Sequence, residues 1–152
     1  MIWVLSQSVD ETLALGEQWG RQAQPGWMIG LTGDLGAGKT QLVKGIARGL
    51  GVRERIHSPT FALVHEYSSG RLPLRHLDLY RLENQAQLIA AGIEDYFYPR
   101  DGVTVVEWIE RWRPGEPGAV AGGPRGVKRY RAVRLETAAE TARNIGYEDF
   151  GP

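Results

Sequence analysis

Residues 33–40 have the types and spacing most suggestive of chemistry, running Gly33-Asp34-Leu35-Gly36-Ala37-Gly38-Lys39-Thr40. This order matches the G-x-x-x-x-G-K-[ST] pattern of a phosphate-binding loop. Glycines let the backbone curl so that successive amides point at phosphate oxygens. Lys39 would contact the β- and γ-phosphates, and the Thr40 hydroxyl would coordinate Mg²⁺. The segment therefore predicts nucleotide binding by the residues Asp34, Leu35, Gly36, Ala37, Gly38, Lys39, Thr40 and Gln41.

Such a loop must lie between a strand and a helix, and the flanking sequence predicts both. Residues 27–32 are a short apolar run of strand length, and apolar residues recur at helical spacing over 39–50. Gly51 then stands at a favourable position for ending the helix. The partial positive charge at the N-terminus of this helix would act on the same phosphates.

The residues on either side of this unit predict a helix and a hairpin. Ser8-Val9-Asp10-Glu11 is a capping-box pattern that begins a helix reaching about Gln22, and residues 2–5 read as an edge strand. Residues 61–67 alternate in polarity, and residues 72–79 form a second strand after a Ser-Ser-Gly turn. A β-hairpin follows, so the sheet is predicted to be mixed rather than wholly parallel.

The later half of the chain predicts a helix, two strands and a long loop. Residues 83–97 carry a helical pattern, residues 103–106 a buried strand and residues 130–135 a last strand. The proline- and glycine-rich segment 113–128 predicts a mobile loop, and the tail after about residue 144 is expected to be partly disordered. We expect one α/β domain over residues 1–152, a P-loop NTPase-like three-layer sandwich with a mixed sheet containing a β-hairpin.

Composition excludes several classes of function. Lys and Arg total 18, as do Asp and Glu, so no overall field draws the protein to nucleic acid or anionic membranes. The absence of cysteine excludes disulfides and thiolate metal sites. No apolar run approaches the roughly 20 residues that span a bilayer. We expect a cytoplasmic protein without membrane contact.

Two acids are candidates for holding Mg²⁺ at the phosphate-binding loop. Glu107 directly follows an unbroken apolar strand, where a charge needs a partner, and fits a Walker-B acid best. Asp78 ends an alternating strand, and its pattern fits a site acid and a solvated surface acid or helix cap equally well.

Other motifs favour structural interpretations when taken from pattern alone. Ser58-Pro59-Thr60-Phe61 could supply a switch hydroxyl to Mg²⁺, but the pattern favours a turn. For Trp108 the pattern favours a core residue, and the alternative is a residue that borders a partner surface. The basic stretch 125–134 does not by itself indicate nucleic-acid binding. Ordinary surface or strand positions are favoured for the three histidines, which lack metal-ligand spacing: His57, His65 and His76.

These residues only partly determine which nucleotide binds and which reaction follows. No N-K-x-D guanine-reading sequence is present, which favours ATP over GTP. A small-molecule kinase of the P-loop fold stays open as an alternative, although the chain shows no arginine-rich lid or acceptor site. A nucleotide-gated adaptor without an essential hydrolysis step is the third hypothesis.

Four motifs, in this order and spacing, together resemble one family. They are the phosphate-binding loop, Ser58-Pro59-Thr60-Phe61-Ala62-Leu63-Val64, His76-Leu77-Asp78-Leu79-Tyr80-Arg81-Leu82 and Val105-Val106-Glu107-Trp108. Over about residues 8–112 the chain resembles TsaE (YjeE), the bacterial ATPase of tRNA threonylcarbamoyladenosine synthesis. Thr12-Leu13-Ala14-Leu15-Gly16 looks like that family's N-terminal T-x-x-L-G element.

The resemblance implies an Mg²⁺-dependent ATPase, weak alone, that acts with TsaB and TsaD, and with tRNA indirectly, in t6A37 modification. Carried over by position, Lys39 and Asp78 are catalytic, Thr40 and Glu107 hold Mg²⁺, and Thr12 lies near the nucleotide. Ser58 and Thr60 become switch residues, and Trp108 borders the site. The family's Gly-Arg pair after the last strand is replaced here, which leaves two arginines as candidates for the phosphate ligand: Arg134 and Arg143.

Overall fold

The computed structural model describes residues 1–34, 36–57, 64–81, 92, 101–111, 127 and 129–151. A short 3₁₀ turn spans Ile109–Arg111. The helices and strands of the described residues are β1 (Ile2–Ser6), α1 (Val9–Gln22), β2 (Trp27–Gly33), α2 (Lys39–Leu50), β3 (Val64–Tyr67), β4 (Leu74–Asp78), β5 (Val103–Glu107), β6 (Arg129–Thr137) and β7 (Arg143–Phe150).

The strands form one seven-stranded sheet in the order β1-β7-β6-β2-β5-β4-β3. The four central strands β6, β2, β5 and β4 are parallel, and β3, β7 and β1 pair antiparallel at the two sides. The predicted mixed sheet and the β3–β4 hairpin are confirmed. No helix in the described ranges is both long and apolar enough to cross a bilayer.

Apolar side chains cover both faces of the central strands, as expected for buried parallel strands. On one face, Ile29 and Val105 pack in a cluster with Trp19 of α1 and Ile46 of α2. The opposite face carries a second cluster, whose members are Met28, Leu77, Leu79, Val106, Ile109, Tyr130 and Ala132. The predicted helix over 83–97 and the predicted loop over 113–128 lie almost wholly outside the described residues.

Glycines allow α1 and α2 to approach closely. A Cβ added at Gly16 would lie 2.5 Å from the carbonyl oxygen of Leu42 and 2.9 Å from the amide nitrogen of Ile46. In the same way, a Cβ at Gly45 would overlap the carbonyl oxygen of Leu13. The seam between the helices therefore has room only for hydrogen at these positions, and it holds the N-terminal turn of α1 beside the phosphate-binding loop.

The C-terminal tail differs from the expected partial disorder. Residues 143–150 form β7, which pairs with β6 on one side and β1 on the other. The local hydrophobic pattern of this segment is weak and is interrupted by Gly146. The Trp3 indole lies over Gly146, so a side chain at this position would collide with the ring. Ile145 is fully buried. The strand is stabilised by neighbours distant in sequence, which a reading of local periodicity does not detect.

Candidate nucleotide-binding site

A cavity of about 610 Å³ opens at the carboxyl ends of β2, β4 and β5. This volume falls in the range of small-molecule sites, and the position beyond the carboxyl ends of parallel strands is where α/β proteins bind ligands. The lining comes from the phosphate-binding loop, the start of α1, the ends of β4 and β5 and the β6–β7 turn: Ser8, Val9, Thr12, Gly36, Ala37, Gly38, Lys39, Thr40, Gln41, Asp78, Tyr80, Arg81, Glu107, Trp108, Glu140, Thr141 and Arg143.

The phosphate-binding loop has the backbone that its sequence requires. Gly36 and Gly38 have φ values of +78° and +96°, which residues with a Cβ rarely adopt. The Ala37 amide donates to the carbonyl of Asp34 at 3.1 Å and closes the turn. Gly38 is the N-cap of α2 and has no side chain with which to cap the helix, so the first-turn amides can serve an anion.

Lys39 is buried and bonded to its own loop. Its Nζ donates to the carbonyls of Gly33 at 2.5 Å and Asp34 at 2.8 Å, and lies 4.0 Å from the centroid of the Trp108 ring. Burial lowers the pKa of Lys39, because the attraction of nearby acids, led by Glu107, offsets the desolvation of the ammonium only in part. Phosphate oxygens would offer this ammonium stronger acceptors than the two carbonyls.

Thr40, Glu107 and His76 form a hydrogen-bonded chain at the floor of the cavity. The Thr40 hydroxyl donates to Glu107 Oε1 at 3.1 Å, and it lies 3.3 Å from Oε2. His76 Nε2 lies 2.5 Å from the same Oε2, and both side chains are buried. Asp78 is the register partner of Glu107 on the neighbouring strand, and its Oδ1 accepts the Tyr80 amide at 2.9 Å.

These residues fit a magnesium ion accompanied by a nucleotide. Mg²⁺ prefers oxygen ligands and is usually held by one or two carboxylates together with substrate phosphates and water. Thr40 and Glu107 already place a hydroxyl and a carboxylate oxygen 3.1 Å apart, and Asp78 lines the same cavity. The described residues contain no group of three or more potential His, Cys, Asp or Glu ligands. The donor set therefore suits a metal whose remaining ligands come from phosphate.

The turn after β5 carries a strained tryptophan and a half-buried acid. Trp108 has φ +60°, an uncommon value for a bulky residue, and its ring packs 4.9 Å from that of Tyr80. The guanidinium of Arg111 lies over both rings. Burial raises the pKa of Glu110, whose Oε2 has no hydrogen-bond partner among the described residues. Trp108 thus borders the cavity directly beside Lys39.

The start of α1 forms one wall of the cavity. Ser8 caps α1 by accepting the Glu11 amide at 3.1 Å, which confirms the predicted helix start, while the Glu11 carboxylate accepts the amide of Gln7 rather than that of Ser8. Thr12 is buried, and its hydroxyl lies 2.7 Å from that of Ser6. Both Ser8 and Thr12 line the cavity. The T-x-x-L-G element thus combines a cavity residue with Gly16 of the helix seam.

Arg143, and not Arg134, reaches the phosphate-binding loop. Arg143 Nη2 donates to the Gly36 carbonyl at 3.2 Å, and Nη1 donates to the carbonyls of Ala139 and Ala142. Its buried Nε has no hydrogen-bond partner among the described residues. Arg134 is instead largely exposed and pairs with Glu136 at 3.2 Å. Side-chain alternation along β6 directs Arg134 away from the cavity.

The structure brings together most of the residues expected at the site. The cavity collects Thr12, Gly36, Ala37, Gly38, Lys39, Thr40, Gln41, Asp78, Glu107 and Trp108. Asp34 contributes its carbonyl to Lys39 rather than a side chain to the lining. Leu35, Ser58 and Thr60 lie outside the described residues. Cavity residues without a predicted site role include Glu140 and Thr141, whose position depends on the unforeseen β6–β7 pairing.

The fold and the loop define a protein of the P-loop NTPase class, with the phosphate-binding loop between β2 and α2 of a mixed α/β sheet. The sequence profile of the family described as "Threonylcarbamoyl adenosine biosynthesis protein TsaE" matches residues 6–145. The chain therefore belongs to the TsaE family.

Individual relatives agree with this assignment. The chain is 48% identical over 105 residues to the tRNA threonylcarbamoyladenosine biosynthesis protein TsaE of Nostoc sp., covering 67% of this chain and 64% of that protein. It is 44% identical over 110 residues to the Bacillus subtilis TsaE, covering 70% and 68%. The crystal structure of Bacillus subtilis YdiB aligns with a TM-score of 0.71 and 31% identity, covering 99% of this chain and 86% of that one. The matched segment thus spans just under two thirds of the Nostoc relative's length.

Proposed function

We propose that this protein binds ATP with Mg²⁺ and hydrolyses it as the ATPase of bacterial t6A37 tRNA modification, working with TsaB and TsaD in the cytoplasm. One observation carries the proposal: Lys39, Thr40, Glu107 and Asp78 line a single cavity with the glycine-rich loop. The family relatives are named for threonylcarbamoyladenosine synthesis, and these names support assigning that process to this protein. Contact with tRNA would be indirect, through the partner proteins.

Three groups would bind the triphosphate. The curled loop and the N-terminus of α2 offer backbone amides, and Lys39 offers an ammonium that exchanges the carbonyls of Gly33 and Asp34 for phosphate oxygens. Arg143, already bonded to Gly36, would add its unpaired Nε donor from the β6–β7 turn. The resulting positive environment favours the charge that develops on the phosphoryl oxygens during transfer.

Thr40 and the acids at the ends of β4 and β5 would bind the metal and orient the attacking water. Thr40 and Glu107 would hold Mg²⁺, which neutralises charge on the β- and γ-phosphates when bound. Asp78 lies on the adjacent strand and lines the cavity, so its carboxylate would orient the attacking water. Ser58 and Thr60 are proposed to act as switch residues, and Trp108 to border the surface that meets a partner.

Hydrolysis measured with and without TsaB and TsaD tests the proposal. The protein alone should turn over slowly, and adding both partners should raise the rate. Asp78→Asn should lower the stimulated rate by about 100-fold or more, the typical contribution of a positioned acid or base, while ATP affinity changes little. Asp101→Asn, at an exposed acid outside the cavity lining, is the matched control. Hydrolysis indifferent to the partners, or full activity in Asp78→Asn, would contradict the proposal.

A further inference from the structure

His76 and Glu107 form the most deeply buried polar contact at the site. The exposed fraction of the side chain is 0% for His76 and 3% for Glu107, and Nε2 lies 2.5 Å from Oε2. His76 precedes Asp78 by two residues on β4, so both side chains project from the same face of that strand. One face of β4 thus supplies the cavity acid at 78 and the histidine bonded to the cavity acid at 107.

The hydrogen-bond geometry determines which atom of Glu107 is constrained. A carboxylate can only accept, so His76 must donate its Nε2 hydrogen to Oε2. His76 Nδ1 has no hydrogen-bond partner among the described residues. Oε1 is left as the oxygen closer to the Thr40 hydroxyl, at 3.1 Å against 3.3 Å for Oε2. The imidazole therefore restrains Oε2 and leaves Oε1 beside the Thr40 hydroxyl.

We infer that His76 is a positioning residue, which holds the Glu107 carboxylate so that Oε1 and the Thr40 hydroxyl are ready for the metal of a nucleotide complex. This inference rests on the proposed function, since it assigns His76 a purpose toward the metal of ATP–Mg²⁺. Partners in the outer shell of a metal typically change its affinity about 10- to 100-fold when removed. A histidine that served only packing would leave metal affinity unchanged once the protein was folded.

The test separates metal binding from nucleotide binding. Mn²⁺ serves as the probe, titrated into the ATP-loaded full-length protein and followed by electron paramagnetic resonance, while ATP affinity in EDTA is measured by calorimetry. His76→Phe removes the donor and should weaken Mn²⁺ binding about 10- to 100-fold, with ATP affinity in EDTA within about twofold. His76→Gln, whose amide can donate from nearly the Nε2 position, should recover most of the loss. His65→Phe makes the same substitution at the register partner of His76 on β3, whose Nδ1 contacts the Tyr67 hydroxyl, and should change neither value.

Separate outcomes address the inference and the function on which it rests. No ATP-dependent Mn²⁺ site in the wild-type protein would refute the proposed function. Such a site with unchanged Mn²⁺ affinity in folded His76→Phe would refute the role of His76 alone. If His76→Phe does not fold, nitrogen-15 NMR of the wild-type imidazole decides. A hydrogen on Nε2 whose resonance shifts when diamagnetic Mg²⁺–ATP is added to the nucleotide-free protein supports the inference. A hydrogen on Nδ1 alone, or an Nε2 resonance that does not move, overturns it.

Discussion

Replacing Lys39 with methionine should separate nucleotide affinity from stability. Methionine is similar in length to lysine but carries no charge, so the substitution removes the positive charge of Lys39. In the structure Lys39 Nζ makes two hydrogen bonds, both from a charged donor. A bond to a charged group contributes about 1.5–3 kcal/mol. Loss of the corresponding phosphate contact should therefore weaken ATP binding about 10- to 150-fold.

The folded protein should tolerate this substitution. Because burial lowers the pKa of Lys39, the native state disfavours the charged ammonium relative to the unfolded chain. Removing the charge thus relieves a desolvation cost, which opposes the loss of two bonds to neutral carbonyls. We expect the free energy of unfolding to change by less than about 1.5 kcal/mol, or roughly 5 °C in Tm for a domain of this size.

Calorimetry gives the ATP affinity, and thermal unfolding without nucleotide gives the stability. Lys44→Met is the matched control, since Lys44 is a half-buried lysine of the same helix that does not line the cavity. It should leave ATP affinity within about twofold, because it makes no phosphate contact. Wild-type ATP affinity in Lys39→Met, or a collapse of its stability, would refute this account of the lysine.

Three further predictions test other parts of the structure. The raised pKa of Glu110 means that native stability falls as pH rises from the usual 4.5 toward the raised value. Glu110→Gln should therefore gain in unfolding free energy over wild type between about pH 4 and pH 7 in urea titrations, and a constant difference would contradict this. Gly45→Ala should destabilise by about 1–3 kcal/mol in thermal unfolding through its clash with Leu13, despite better helix propensity. Arg143→Ala should weaken ATP binding measured by calorimetry, and Arg134→Ala should not; the reverse order would reject the assignment of the cavity arginine.

Local signals predicted the parts of the fold that depend on neighbouring residues. The loop at 33–40, the capping pattern at Ser8 and the ending of α2 at Gly51 each place a specific residue at a specific backbone geometry. Their predicted bounds for α1 and α2 agree with the structure. Glu107 could also be predicted as a site acid from its position at the end of β5, because a charge that follows a buried strand must have a partner.

Contacts that depend on strand pairing could not be predicted from local pattern. Arg143 reaches Gly36 only because β7 pairs with β6 and turns the chain back over the loop. The bond from His76 to Glu107 requires the register of β4 against β5, and spacing along the chain contains no trace of it. The sequence pattern likewise did not favour a site acid over a surface acid at Asp78. Only the resemblance to the TsaE family favoured the site acid.

The insertion of β7 between β1 and β6 constrains the order in which this chain can fold. Residues 2–6 pair with residues 143–147, so β1 cannot dock in the sheet until β7 has been synthesised. Arg143, on one wall of the cavity, is positioned by β7, whereas the start of α1 is held by its glycine seam with α2. A nascent chain that stops before residue 143 would hold a glycine-rich loop without the wall that carries Arg143. Tight nucleotide binding would then require that β7 has been made and paired with β6.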